Sequence, residues 1–472
     1  MIRVRALRMA LLSVVSGGVL SFGIQAQAGT SLATPPPIAD GYVNAVPGPA
    51  GVIPELDQWW HRFDDPVLDR LVQIAVADNL DLKSAVSRIE AARALSTAAA
   101  SGRKPRIDLG AGVGRERVPS LQSWTSEPTT AWNNSLDLGI SWELDVFGRI
   151  RQGVTAAQAD VVSASEDAHA VQVAVIGEVV RNYLEVRGLE QRLDVTHRNV
   201  RNQEDTERFM QQMFEVGEVP GADLDRARTQ REITAAELPA LELQRQQALH
   251  RLSVLLAGTA QQAYELLVPA PIPMHPALPA DAGIPADLLR LRPDIRAAEA
   301  RVIAAYARVG VAEADLRPQL RLAGMLGAVL DGFSGATFAR SVAWMAGANA
   351  SAPLFDGKRR RSVVALRRAE AEQALNAYRQ AVLEAVSEVE TALAAATRHR
   401  VRVEGLERAT ASARSAYVQI DRSWRSGESA FIDTLEVQRT LLAAEDALAQ
   451  SRTMQLQSQA DLMVALGRGS VP

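Results

Sequence analysis

The chain has 472 residues, 47% of them hydrophobic but only 5% aromatic, so it lacks the bulky side chains that a large globular core draws on. Its Ala-rich, charge-laced stretches suit long, closely packed helices instead. A net charge of −4 with no basic domain argues against a nucleic-acid partner, and the absence of cysteine excludes disulfides, thiolate sites and cysteine-linked lipid. The six histidines show no metal-ligand spacing, and no catalytic constellation or cofactor motif is present, so the sequence points away from an enzyme, a metal or a cofactor.

At the start of the chain, Arg3, Arg5 and Arg8 precede an apolar run from Met9 to Ile24, broken by Gly17 and Gly18. Ala26-Gln27-Ala28 then supplies a small-x-small cleavage pattern. Residues 1–28 read as an export signal peptide, followed by an extended segment, 29–65. No later stretch offers about 20 consecutive apolar residues, so a mature chain that enters a membrane does so as a closed barrel.

The rest of the chain repeats itself once. Asp81–Gly114 aligns with Asp294–Gly327 at a shift of 213, matching Asp81/Asp294, Arg88/Arg301, Pro105/Pro318 and Gly114/Gly327. Further on, a shift of 210 pairs Gly217-Glu218 with Gly427-Glu428 and Asp223 with Asp433. Repeat 1 spans 66–258 and repeat 2 spans 285–467, with a Pro-rich linker, 259–284, between them and a short tail, 468–472.

Both copies follow one order of elements. A first helix (Pro66–Arg103, then Pro285–Leu316) is closed by Pro105 or Pro318, because proline disfavours helix in the residue before it. A β-hairpin follows, at about 105–146 and about 318–355. Leu136, Leu138, Ile140, Trp142 and Leu144 alternate with Asp137, Gly139, Ser141, Glu143 and Asp145, giving one apolar and one wet face. Val342, Trp344, Ala346, Ala348 and Ala350 alternate in the same way in the second copy. Trp124, Trp132, Trp142 and Trp344 are candidates for an aromatic girdle. Then come very long proline-free stretches, Arg149–Phe214 and Lys358–Ser426, each about 100 Å as helix. Gly217 and Gly427 interrupt them, and return helices run over Ala222–Ala257 and Ser429–Leu466.

Two hairpins give four strands, and an open four-stranded sheet leaves two edges unpaired, which lipid does not tolerate. Several copies must therefore share one barrel. Three copies give twelve strands, within the range of outer-membrane barrels, with Asp137, Glu143 and Asp145 facing the water inside.

The opening Trp59-Trp60-x-x-Phe63-x-Asp65-Pro66-x-Leu68-x-x-Leu71 and Asn79-x-Asp81-Leu82-x-x-Ala85-x-x-Arg88 resemble the TolC-like outer-membrane factors of Gram-negative efflux systems. Leu291-Arg292-Pro293-Asp294-Ile295-Arg296-Ala297-Ala298-Glu299, and Gly310-Val311-Ala312-x-Ala314 with Pro318, are closer to the efflux (NodT-type) branch. The resemblance runs from about Trp59 to Gly467. It implies a mostly α protein with transmembrane β: a homotrimer forming a twelve-stranded barrel in outer-membrane lipid, continued by a long α-helical barrel in the periplasm. Its partners would be a periplasmic adaptor protein and an inner-membrane pump of the resistance-nodulation-division type. Many members of this branch carry a lipidated cysteine after the signal peptide; with none here, the barrel is the expected anchor.

The resemblance also assigns residues. Asp433 and Glu436 match the acidic positions of the periplasmic aperture, Ile432 an apolar constriction position and Arg439 a charged one. The spacing of Asp433 and Glu436 places both on one helical face, and Arg439 lies within pairing reach of Glu436. Asp223 matches a polar position on the first tip that ties neighbouring helices in the closed state. Gly217, Glu218, Gly427 and Glu428 mark the tips where the family docks its adaptor. The expected function is a passive exit duct for small molecules, gated at the aperture. The alternatives are the outer-membrane duct of a type I protein-secretion system and, from another class, a periplasmic coiled-coil scaffold or adaptor.

Overall fold

The computed structural model describes residues 35–37, 41–43, 58–118, 129–267, 292–333 and 337–469. The expected signal peptide, Trp124 and the linker after residue 267 lie outside these, as does the side chain of Trp132. Helices α1 (Pro66–Asp78), α2 (Leu80–Ser101), α3 (Arg149–Glu215), α4 (Gly221–Leu255) and α5 (Ala260–Leu266) belong to the first half. Helices α6 (Pro293–Ala314), α7 (Arg359–Arg425) and α8 (Phe431–Ala465) belong to the second. Strands β1 (Arg106–Val118) and β2 (Thr129–Leu144) precede α3; β3 (Gln319–Phe333) and β4 (Thr337–Ser351) precede α7.

The duplication is visible in the lengths. The long helices α3 and α7 each have 67 residues and the return helices α4 and α8 each have 35. At 1.5 Å per residue, a long helix spans about 100 Å and its partner about half of that. α4 and α8 therefore line only the lower half of α3 and α7. The upper half of α3 packs against α2 and α6, and α6 also packs against α7.

The single helix expected over Pro66–Arg103 is two. Asn79, at ψ 131°, leaves helical geometry, and its side chain caps α2 by accepting from the amides of Asp81 (2.9 Å) and Leu82 (3.1 Å). Its amide nitrogen also donates to the Leu255 carbonyl at the end of α4 (2.9 Å), so the break is held from both sides. Two further departures concern irregular segments: Trp59–Phe63 forms a short 3-10 helix, and α5 occupies the first part of the expected linker.

The main core lies halfway along α3. There Trp59, Trp60, Phe63, Leu68 and Leu71 pack on Ile176, Val180, Tyr183 and Leu184 of α3, with Leu252 of α4 and Leu462 of α8. Leu68, Leu71, Ile176 and Leu252 are fully buried, each contributing about 2 kcal/mol of transfer free energy. Within this core Asp65 caps α1 through Val67 N (2.9 Å) and accepts from the Tyr183 hydroxyl, to which Arg187 Nε donates in turn (3.1 Å). Arg187 also donates to Glu190 (2.9 Å), so the buried charge is neutralised.

The strands form one antiparallel sheet in the order β1-β2-β3-β4, so β2 and β3 join the two copies. The register matches the alternation in the sequence. Ile107 opposes Ile140, Leu109 opposes Leu138, Trp142 opposes Leu322, and Leu326 opposes Trp344. All eight of these side chains are exposed, as suits a lipid-facing surface. The other face carries Asp108, Asp137, Ser141, Glu143 and Asn349, with many glycines. Gly110 leaves room for the Asp137 carboxylate, which a Cβ there would meet at 2.7 Å and push aside.

Glu143 and Asp145, expected to face water, have most of their side-chain surface covered, each 16% exposed. Glu143 accepts from Nε and Nη2 of Arg149 (2.8 and 2.9 Å), and Asp145 caps α3 through Ile150 N (2.9 Å) and Arg151 N (2.8 Å). The amides opening a long helix need acceptors, and these carboxylates sit where the strand hands over to the helix.

Candidate functional site

The end of the molecule farthest from the sheet is formed by two helix turns of matching design. Gly217 (φ +78°) follows α3 and Gly427 (φ +80°) follows α7. Glu218 N reaches back to Met213 O (2.9 Å) and Glu428 N to Ser423 O (2.8 Å), closing the carbonyl ends of the long helices. A Cβ at either glycine would meet nothing within 4 Å, so the positive φ alone selects glycine. The side chains of Glu218 and Glu428 are exposed.

Behind the turns the two hairpins are joined by an apolar cluster. Met210, Leu224 and Ala227 from the first hairpin pack on Phe431 and Leu435 from the second. The Trp424 ring stands edge-on to Phe209 at 5.4 Å and tilted against Phe431 at 5.2 Å. Sequence reasoning missed this cluster. Its one sequence signal is a concentration of aromatic residues, Phe209, Phe214, Trp424 and Phe431, in a chain otherwise poor in them.

The expected aperture residues share the opening turns of α8. Phe431, Thr434, Leu435 and Gln438 are buried, whereas Ile432, Asp433, Glu436 and Arg439 are exposed and form a stripe turned away from the cluster. Asp433 also caps its own helix, since its carboxylate accepts from Ala430 N (3.3 Å) at the start of α8. Arg439 does not pair with Glu436. Its Nε donates to Gln230 on α4, because its long side chain crosses the seam between hairpins instead of following its own helix. Asp223, in the first turn of α4, pairs with Arg226 of the same helix (2.7 Å) and with no residue of the second hairpin among the described residues.

Higher up, charged pairs cross the helix seams and fix their register. Arg192 clasps Asp446 between α3 and α8 with Nε and Nη2 (2.7 and 3.1 Å). Arg301 reaches Asp167 between α6 and α3 (2.6 Å), and Arg452 reaches Glu407 between α8 and α7 (2.8 Å). Exposed pairs of this kind add little stability singly but disfavour slipped alignments.

An apolar-faced sheet at one end, a long helical layer, and paired hairpin tips at the other make an elongated protein with no enclosed reaction site among the described residues. The family model for outer membrane efflux proteins matches residues 71–258 and 284–468, one segment per copy. The chain belongs to this family. It is 30% identical over 419 residues to Nodulation protein T of Rhizobium leguminosarum bv. trifolii, covering 88% of each chain. It is also 30% identical over 436 residues to outer membrane protein OprJ of Pseudomonas aeruginosa, covering 92% of this chain and 90% of that one. The solved structure of the outer-membrane channel OprN superposes with a TM-score of 0.84 at 32% identity, over 93% of this chain and all of the other. VceC of Vibrio cholerae, at 22% identity and a TM-score of 0.80, shares the fold. The fold is that of the TolC-like channels, in which a β-barrel is continued by a helical barrel, and this efflux family member is an outer-membrane duct. The scaffold alternative falls with that membership, since a soluble scaffold has no use for the bare apolar face of the sheet.

Proposed function

We propose that three copies of this efflux family member close a twelve-stranded barrel and a helical tunnel. The tunnel is a passive exit duct for small molecules, and its narrowest point is the ring of α8 stripes at the tips. The observation that carries this reading is the exposed row Ile432, Asp433 and Glu436 beside the turn at Gly427. A threefold axis turns one such row into an acidic ring, which attracts cations and narrows the opening. The unpaired edges of β1 and β4 within one chain support closure by further copies.

Residues 1–28 direct export. The tips, with Gly217, Glu218, Gly427 and Glu428, receive a periplasmic adaptor that links the duct to an inner-membrane pump of the resistance-nodulation-division type. Relatives named for pyoverdine export and toluene efflux favour small molecules over a type I protein-secretion substrate. The test replaces Asp433 with Asn, which keeps the helix cap, and Glu436 with Gln. Single-channel conductance should rise and block by divalent cations should weaken. Unchanged conductance and block would remove the acidic ring from the gate, and a well-folded monomer in detergent would remove the shared barrel.

A further inference from the structure

All four strands meet helices at one end of the sheet. β1 begins at Arg106, β2 ends at Leu144, β3 begins at Gln319 and β4 ends at Ser351. The register pairs Arg106 with Ser141, Leu144 with Leu320, and Gln319 with Ser351, so the four junctions lie at one level. The acidic groups at this level are already occupied. Asp108 holds Arg106 (2.9 Å), Glu143 holds Arg149, and Asp145 caps α3. Asp356 accepts from Arg360 N (3.2 Å), and Asp315 from Gln319 (3.5 Å).

The cations are in surplus. Arg103, Lys104, Arg317, Lys358, Arg359 and Arg361 are exposed and enter no ion pair among the described residues. Bare apolar side chains stand beside them: Leu354 is 97% exposed, Phe355 92% and Phe147 47%. Trp142, at the end of the apolar sheet face, turns its indole N–H to the Arg103 carbonyl (3.1 Å). Apolar side chains and unneutralised cations at the edge of a lipid-facing surface are the chemistry of a headgroup layer. Copies that close the barrel at the β1 and β4 edges adjoin at this level and cover part of it, but each brings the same positive surplus and so leaves the cations unneutralised.

We propose that this belt binds anionic phospholipid headgroups, of the phosphatidylglycerol type, in the leaflet facing the helices. The assignment rests on the sheet lying in the membrane. The three lysines of the sequence, Lys83, Lys104 and Lys358, offer a direct test. Lys83 sits on α2 about 30 Å below the belt and serves as the internal control.

The intact protein is reconstituted into phosphatidylcholine vesicles with or without phosphatidylglycerol, and lysine acylation is read by mass spectrometry. Phosphatidylglycerol should protect Lys104 and Lys358 but not Lys83. In native mass spectrometry, the K358Q/R359Q/R361Q variant should lose its preference for phosphatidylglycerol over phosphatidylcholine by about fivefold per cation removed. An R398Q/R400Q variant, on α7 surface away from the belt, should keep the preference. Equal protection in both vesicles, or an unchanged preference in the triple variant, would overturn the proposal. So would protection by soluble glycerol phosphate alone, which would mark a site for free phosphate. Failure to insert even into pure phosphatidylcholine would strike the membrane placement of the sheet itself, and the belt with it.

Discussion

Arg439 on α8 donates to the side-chain oxygen of Gln230 on α4, tying the two helical hairpins together about two turns behind their tips. Gln230 is 7% exposed, so its oxygen has little access to water as a substitute. Losing the donor leaves a buried acceptor short of a partner, at a cost of about 1–3 kcal/mol. Arg439→Ala and Gln230→Ala should each raise single-channel conductance by loosening the seam. The double variant should do little more than either single one, because both remove the same bond. Normal conductance in both single variants would show that this tie does not restrain the aperture.

A second seam depends on a missing side chain. A Cβ at Gly188 of α3 would lie 2.1 Å from Thr453 Oγ1 and 2.9 Å from Thr453 Cβ on α8. Gly188→Ala should lower stability by about 1–3 kcal/mol through overpacking, read as a lower melting temperature in detergent. Adding Thr453→Ala should recover part of the loss, because it removes Oγ1 and Cγ2 but keeps the Cβ at 2.9 Å. A melting temperature that the companion change does not raise would place the damage elsewhere.

The tip cluster is remote from the main core, so its loss should be felt locally. Phe431 is 5% exposed and touches the Trp424 ring. Phe431→Ala should cost about 3 kcal/mol at the tip. Limited proteolysis should then cut first near 209–224 and 424–435, while the helices around Tyr183 stay intact. Uniform cleavage along the chain would argue that the tips and the core unfold together.

Alkaline pH should loosen the core. Burial, and then the hydrogen bond to Asp65, push the Tyr183 phenol well above the usual tyrosine range. Burial, with Glu390 nearby, pushes Tyr42 up to about 12. Above a pH of about 10 the unfolded chain loses these protons while the folded one keeps them, so stability falls as pH rises. The full stability is present below that pH. Denaturation midpoints taken between about pH 8 and 12 should decline through the upper half of the range. Tyr183→Phe should flatten the decline while lowering stability at neutral pH.

Much of this architecture is written locally. The alternation from Leu136 to Leu144 fixes which strand face is apolar, because side chains on a strand point to opposite sides. Gly217 and Gly427 mark the turns, because the positive φ there suits a residue without Cβ. Pro105 and Pro318 mark the passage from helix to strand, and the two copies share one order of elements because they share spacing. Each of these features depends on residues close in the chain, so the sequence by itself determined them.

Other features needed the fold. Asn79 caps α2 locally, but the bond from its amide to the Leu255 carbonyl, 176 positions away, exists only in the fold. Arg439 chooses Gln230 over Glu436 because the first hairpin lies within reach across a seam, 209 positions back. Trp424 meets Phe209 and Phe431 only once both hairpins stand side by side. No periodicity records which distant group will be nearest when helices pack; that is set by the packing of whole surfaces, and only the tertiary structure decided it.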